Sequence, residues 1–242
     1  MLTNILGDNK TLNIFTDASV LYNGDEFITS SGAIAVKDIT TPNPTVIDRI
    51  FTINRNSTNN HGELSAILNG VELALKYRGY FSRINLFSDS KISIYGLRDW
   101  CNKWFNKIVT NEYGTIVSSS GTPVMNQELI KTIIRVIVDN RLEINLYHQK
   151  GHIDPTDSRS VNEALKIFNK SNIQGIHTID SISYNDIAMI SLFNGMVDSI
   201  SRSYLKDLDM NRCNTVYPIK HGMNFDLFNQ YKKLINMEGG RI

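Results

Sequence analysis

The chain has 242 residues, enough for one substantial core with an added lobe, and its 41% hydrophobic and 20% charged residues match an ordinary soluble globular protein. No apolar run reaches the roughly 18 residues of a membrane span, and the first ten residues, MLTNILGDNK, lack the basic start and apolar centre of a signal peptide. A formal net charge of +1 excludes a globally basic surface, so a polyanionic partner would need local positive charge or metal ions, and two cysteines in no metal-type spacing, Cys101 and Cys213, point to a reduced, cytoplasmic setting.

Residues 11–20, TLNIFTDASV, read as a strand that Asp17 closes. Residues 31–38 and 45–53 are two more β-branched runs, and loops rich in Gly, Pro, Asn and Thr separate the three, which predicts an antiparallel meander. The period then changes. Over residues 59–78, Leu64, Ile67, Leu68, Val71 and Leu75 form the stripe of an amphipathic helix, with Glu63 in its first turn. Residues 83–88 are a strand that stops before Asp89, and a second helix is expected over 91–104. Residues 113–123 read as a loop, 125–140 as a helix, and 142–147 as a strand running into HQKGH. Helices are expected over 160–169 and 184–208, and residues 225–235, FDLFNQYKKLI, form a last amphipathic stretch. The order is that of an α/β fold, a mixed sheet with three antiparallel strands first and helical crossovers afterwards.

The acids are placed where chemistry is possible. Asp17 and Asp89 end strands expected to be parallel neighbours, so their carboxylates would share one edge and repel each other. A divalent cation with hard oxygen ligands relieves that repulsion, and Glu63 is able to reach the same edge. Each acid alone is equally a helix cap or a turn former. Phosphate-binding loops, nucleophile elbows and Cys-x-x-Cys pairs are absent from the sequence.

Five fragments, in order, resemble the type 1 ribonuclease H family: TDAS at 16–19, TNNHGEL at 58–64, SDS at 88–90, KGH at 150–152 and NGMVDSISRS at 194–203. The resemblance covers roughly residues 11–205. It implies a ribonuclease H-like five-stranded mixed sheet with helices on both faces. It implies a catalytic site of Asp17, Glu63, Asp89 and Asp198 holding two Mg²⁺ ions, for which Mn²⁺ can substitute, with His152 assisting proton transfer or product release. The implied activity is hydrolysis of the RNA strand of an RNA–DNA hybrid to 5′-phosphate and 3′-hydroxyl ends, without a membrane partner. A non-catalytic hybrid- or RNA-binding protein, or another nuclease on the same fold, are the alternatives.

Substrate contacts implied by the resemblance are Asn59, Asn60, Ser19, Lys91 and Asn194. The basic and aromatic run at 98–107, with Trp100, Lys103 and Trp104, resembles the family's handle for the DNA strand. The chain also departs from the family. VLYNGDEF replaces the usual glycine-rich turn after the first motif, and His152 and Asp198 are 46 residues apart in sequence, where the family has about ten. Residues 153–193 are therefore expected as an insertion within a domain spanning 1–206, with 207–242 as a C-terminal extension. Asp180 and Asp186, inside that stretch, are rivals to Asp198 as the fourth acid.

Overall fold

A computed structural model describes residues 3–23, 26–100, 116–118, 120–172 and 180–206. Lys103 and Trp104, both cysteines and the 225–235 stretch lie outside the described residues. The strands are β1 (Thr3–Asn4), β2 (Thr11–Asn23), β3 (Glu26–Lys37), β4 (Thr45–Arg55), β5 (Arg83–Ser88), β6 (Asn145–His148) and β7 (Asp180–Ser181). The helices are α1 (Asn59–Tyr77), α2 (Lys91–Tyr95), α3 (Gln127–Asp139), α4 (Ser158–Asn172) and α5 (Tyr184–Lys206). Among the described residues no helix is long and apolar enough to cross a membrane.

Five strands form one mixed sheet in the order β4-β3-β2-β5-β6. β2, β3 and β4 are the expected antiparallel meander, and β2, β5 and β6 are parallel. Alternation along β2 sorts its side chains between two faces. Leu12 and Ile14 join the core under α1 and α3, while Phe15 joins the core under α4 and α5.

Register across the parallel strands is set by polar side chains. Asn13, Asn85 and Asn145 stand opposite one another. Asn85 Nδ2 donates to Asn13 Oδ1 at 2.9 Å, and Asn145 Nδ2 donates to Asn85 Oδ1 at 3.1 Å. The same ladder captures the N-terminal segment, since Asn13 and Asn85 also donate to the carbonyls of Leu6 and Ile5. A one-residue slip would leave these buried amides unpaired, at roughly 1–3 kcal/mol for each lost partner. Two residues along, Phe15, Phe87 and Tyr147 stack with centroids 5.1 and 5.2 Å apart. The next position on this face brings Asp17 and Asp89 alongside each other.

α1 is docked by both packing and hydrogen bonds. Thr58 caps it, and buried Asn69 donates to the Ser31 carbonyl and the Thr52 hydroxyl. Gly70 lets the helix lie directly on the sheet: a Cβ there would stand 2.7 Å from Leu86 Cδ1 and 2.8 Å from Thr16 Cγ2. The helix begins at Asn59, so Glu63 lies just past the first turn, in a buried position, rather than within that turn.

Three expectations are corrected here. Asp17 lies within its strand, because β2 runs on to Asn23 by pairing with β3 after its pairing with β5 ends at Thr16. The helix after Asp89 is α2 only to Tyr95 and then widens into a π-helical turn, Gly96–Trp100. Arg98, counted in the basic and aromatic run at 98–107, is buried there: its guanidinium donates to the carbonyls of Leu146 and Ser171 and to Asn172 Oδ1.

Residues 153–193 supply α4, β7 and the start of α5. Val161, Ala164 and Phe168 of α4 enter the second core. Asn172 closes the open edge of β6, accepting from His148 N–H and donating to His148 C=O. β7 pairs with β1, an unexpected two-stranded sheet.

Gly70→Val is expected to lower the free energy of unfolding by about 1–3 kcal/mol, the usual cost of overpacking. Urea denaturation checks this, with a lower midpoint and an unchanged slope as the expected result.

Candidate active site

The acids gather where β2 loses its parallel partner. Asp17 is 5% exposed on β2, and its Oδ1 accepts from the Ala18 N–H at 2.7 Å. Asp89 follows the last residue of β5, just before Ser90 caps α2. Glu63 arrives from α1 and is 6% exposed. One oxygen from each of these three lies within 4.8 Å of the others. Asp198, on α5, lines the same cavity of about 630 Å³, together with His152, Asn59, Ser19 and Arg202.

Burial and mutual repulsion act on these groups together. Burial, then the charges of Asp89 and Asp198, pushes the Asp17 carboxyl up to about 8. Burial, then Asp17, Asp89 and Asp198, holds Glu63 well above the usual carboxylate range. Burial raises Asp89 as well, against the opposing pull of His152 and a hydrogen bond from Asn194. Glu63 Oε2 is buried with no hydrogen-bond partner among the described residues. An orphaned carboxylate oxygen beside two more carboxylates is what a hard divalent cation fits, since it supplies the charge and the ligand contacts that protein donors do not.

Asp198 is held differently. Arg202, one turn on, grips both its oxygens: Nε donates to Oδ1 at 2.8 Å and Nη2 stands 2.8 Å from Oδ2. Ser19 Oγ donates to Oδ1 at 3.2 Å. The rivals lie elsewhere. Asp186 accepts from Asn4, Ser183 N–H and Ser183 Oγ at the start of α5, and Asp180 lies in β7.

The KGH loop closes one side. Lys150 pairs with Glu163 of α4 at 2.7 Å. A Cβ on Gly151 would sit 2.1 Å from Asp89 Oδ2, so only glycine lets the backbone pass this carboxylate. His152 follows with a left-handed φ of 51°, its side chain exposed and Nδ1 3.9 Å from Asp198 Oδ2. His148 is buried, with Nδ1 3.1 Å from Ser171 Oγ, and burial together with Lys91 and Arg98 drives it down to about 4.

The other expected contacts separate. Asn59 lines the cavity, whereas exposed Asn60 does not. Asn194, expected at the substrate, is buried, and its side chain bonds Asp89. Lys91 lies over the Tyr95 ring at 5.4 Å, and Trp100 meets the same ring edge-on. Neither lines the acidic cavity. Sequence reasoning missed Arg202 and Gly151. The i,i+4 spacing from Asp198 was a readable signal for Arg202.

The family model described as RNase H matches residues 9–169. The chain is 33% identical over 94 residues to "Ribonuclease H" of Wolbachia sp. subsp. Drosophila simulans (strain wRi) and equally to that of Wolbachia pipientis wMel. Those matches take in 39% of this chain and 57% of each relative, so the chain spans little more than half the length of the curated relatives it matches. The solution structure of the PFV RNase H domain superposes with a TM-score of 0.48 at 18% identity, over 70% of this chain and 95% of that one.

The raised carboxyls make the metal-free protein sensitive to pH. A folded-state value above the unfolded one means stability that is complete below the ordinary 3.8 and lost as pH rises through about 8. His148 titrates in the opposite sense below its usual 6.5, so the clean window lies above that value, up to about 8. Thermal unfolding in chelator is expected to show a midpoint that falls across this window. Mg²⁺ should flatten the fall, and Asp17→Asn should reduce it without metal.

Proposed function

The chain belongs to the ribonuclease H family, and from that premise we propose that it hydrolyses the RNA strand of RNA–DNA hybrids with two Mg²⁺ ions, leaving 5′-phosphate and 3′-hydroxyl ends. The observation that carries the reading is the convergence of two buried carboxylates, from β2 and α1, with a half-buried one at the end of β5, Glu63 Oε2 having no partner among the described residues. A protein that only bound nucleic acid would gain nothing from acids facing phosphates. The curated relatives named Ribonuclease H support the same reaction.

Asp17, Glu63, Asp89 and Asp198 are the residues to hold the ions. By family resemblance Asp17 would serve both ions, Asp198 the one that supplies water, and Glu63 and Asp89 the one that stabilises the leaving oxygen. When bound, such a pair of cations supplies an activated water and stabilises charge on the phosphate and on the departing oxygen. The remaining tasks fall to the chain itself. Asn194 holds Asp89 through its side-chain hydrogen bond. Ser19 holds Asp198 from β2, and in the protein without nucleic acid Arg202 grips both of its oxygens. His152, exposed at the cavity mouth, is placed to exchange protons with solvent and to relay them at the product oxygen. Asn59 projects an amide into the cavity, and an amide both donates to and accepts from a 2′-hydroxyl, the group that separates RNA from DNA.

Asp17→Asn, Glu63→Gln and Asp89→Asn are each expected to lower Mg²⁺-dependent cleavage of a labelled hybrid by more than about a hundredfold, since residues only behind metal ligands already cost 10–100-fold. Chelator should abolish cleavage, and Mg²⁺ or Mn²⁺ should restore it. Matched duplex RNA and duplex DNA should stay intact. Unchanged hybrid cleavage by these variants would overturn the reading.

A further inference from the structure

Asp198 and its three companions are not equivalent in this structure. The oxygens of Asp17, Glu63 and Asp89 lie within 4.8 Å of one another, and Asp198 falls outside that group. Both of its oxygens are already engaged by the forked guanidinium of Arg202, at 2.8 Å each. The Arg202 side chain is 56% exposed and lines the cavity where substrate would lie, while the Asp198 side chain is 16% exposed.

We propose that Arg202 is an exchangeable counter-ion: it occupies Asp198 while the site is free of nucleic acid, and passes to a substrate phosphate when the hybrid arrives, which releases Asp198 to the cluster. The inference rests on the nuclease reading above and adds an order of events to it.

Charge, geometry and strength favour the exchange. Two divalent cations would neutralise the four carboxylates, so once both were bound Arg202 would need a phosphate in place of Asp198. A planar guanidinium suits a carboxylate and a phosphate equally, because both accept its paired N–H groups side by side. An i,i+4 pair with its cation half in solvent is among the weaker ion pairs, so a polyanion is able to break it. On a 23-residue helix, Arg202 needs only rotamer changes to move between the two partners, with no shift of backbone. Ser19, which donates to Asp198 from β2, keeps the carboxylate at the rim as the guanidinium leaves.

Mn²⁺ titration of the full chain by calorimetry, without nucleic acid, tests the proposal directly. The intact chain should take up one ion readily and a second only weakly. Arg202→Gln, which keeps the stem and removes the charge, should bind the second ion at least about tenfold more tightly. In hybrid cleavage the same variant should reach half-maximal rate at lower Mg²⁺ yet show a raised KM for hybrid, because the phosphate contact is lost. Arg202→Lys, with a single donor head, should recover part of the KM and little of the block on the second ion. Identical metal binding in the intact chain and Arg202→Gln, or weaker binding in the variant, would overturn the exchange while leaving hybrid cleavage standing. If the intact chain binds no divalent ion and cleaves no hybrid, the nuclease reading itself falls.

Discussion

The parallel pairing of β2 with β5 decides where the chemistry occurs. Three residue pairs in one register do the work in sequence: Asn13 with Asn85, Phe15 with Phe87, and then Asp17 beside Asp89. The first pair penalises any slip, because buried amides would lose their partners. The second fills the second core with stacked rings. The third arrives where the pairing has just ended, so its side chains face an opening at the carboxyl ends of the strands instead of packed interior. Such edges are where α/β sheets habitually bind ligands.

The same register makes the site unstable in isolation. Three carboxylates close together, two buried and one half-buried, repel, and loss of solvent penalises their charged forms before repulsion is counted. Protein donors relieve this only in part: Ala18 N–H serves Asp17 and Asn194 serves Asp89, while Glu63 Oε2 has no partner among the described residues. The rigid scaffold carries the strain instead. α1 is fixed by Thr58, Asn69 and the close contact at Gly70, and the loop after β6 is fixed by Lys150 and by the passage of Gly151 over Asp89. The acidic cluster is thus held together by elements that gain nothing locally from it, which is the usual relation between stability and activity.

Much of this was readable from the chain, for physical reasons. α1 and β5 declared themselves because a long apolar stripe of period 3.6 and a short apolar run bounded by polar residues have few other solutions. Asp17, Glu63 and Asp89 stand out because acids bordering core segments demand an explanation, whereas Asp198 enters only through the resemblance of NGMVDSISRS to the family's last helix. What sequence alone hid depended on distant partners. The end of β2 was set too early because Val20 to Asn23 are held by β3 alone. The ladder of Asn13, Asn85 and Asn145 has no local signal, because only the strand register brings these polar residues opposite one another. The burial of Arg98 has no local signal, since the carbonyls of Leu146 and Ser171 that receive it are set by β6 and α4. The β1–β7 pair, two residues on each side, carries no periodic signal at all.

The long separation between His152 and Asp198 then takes on a structural meaning. The intervening chain is tied to the site at several points. α4 covers the edge of β6 through Asn172 and anchors the KGH loop through Glu163. β7 joins the N-terminal strand, and Asn4 reaches Asp186 at the base of α5. α5 crosses the sheet with Phe193 stacked on Phe15 at 5.4 Å, and the residues that follow, Asn194 and Asp198, are the ones that meet the acids. Phe15 is itself a member of the central register, so the ring contact that seats α5 also sets the position of its carboxylate. The intervening chain thus leaves Asp198 under the control of the same strand that carries Asp17.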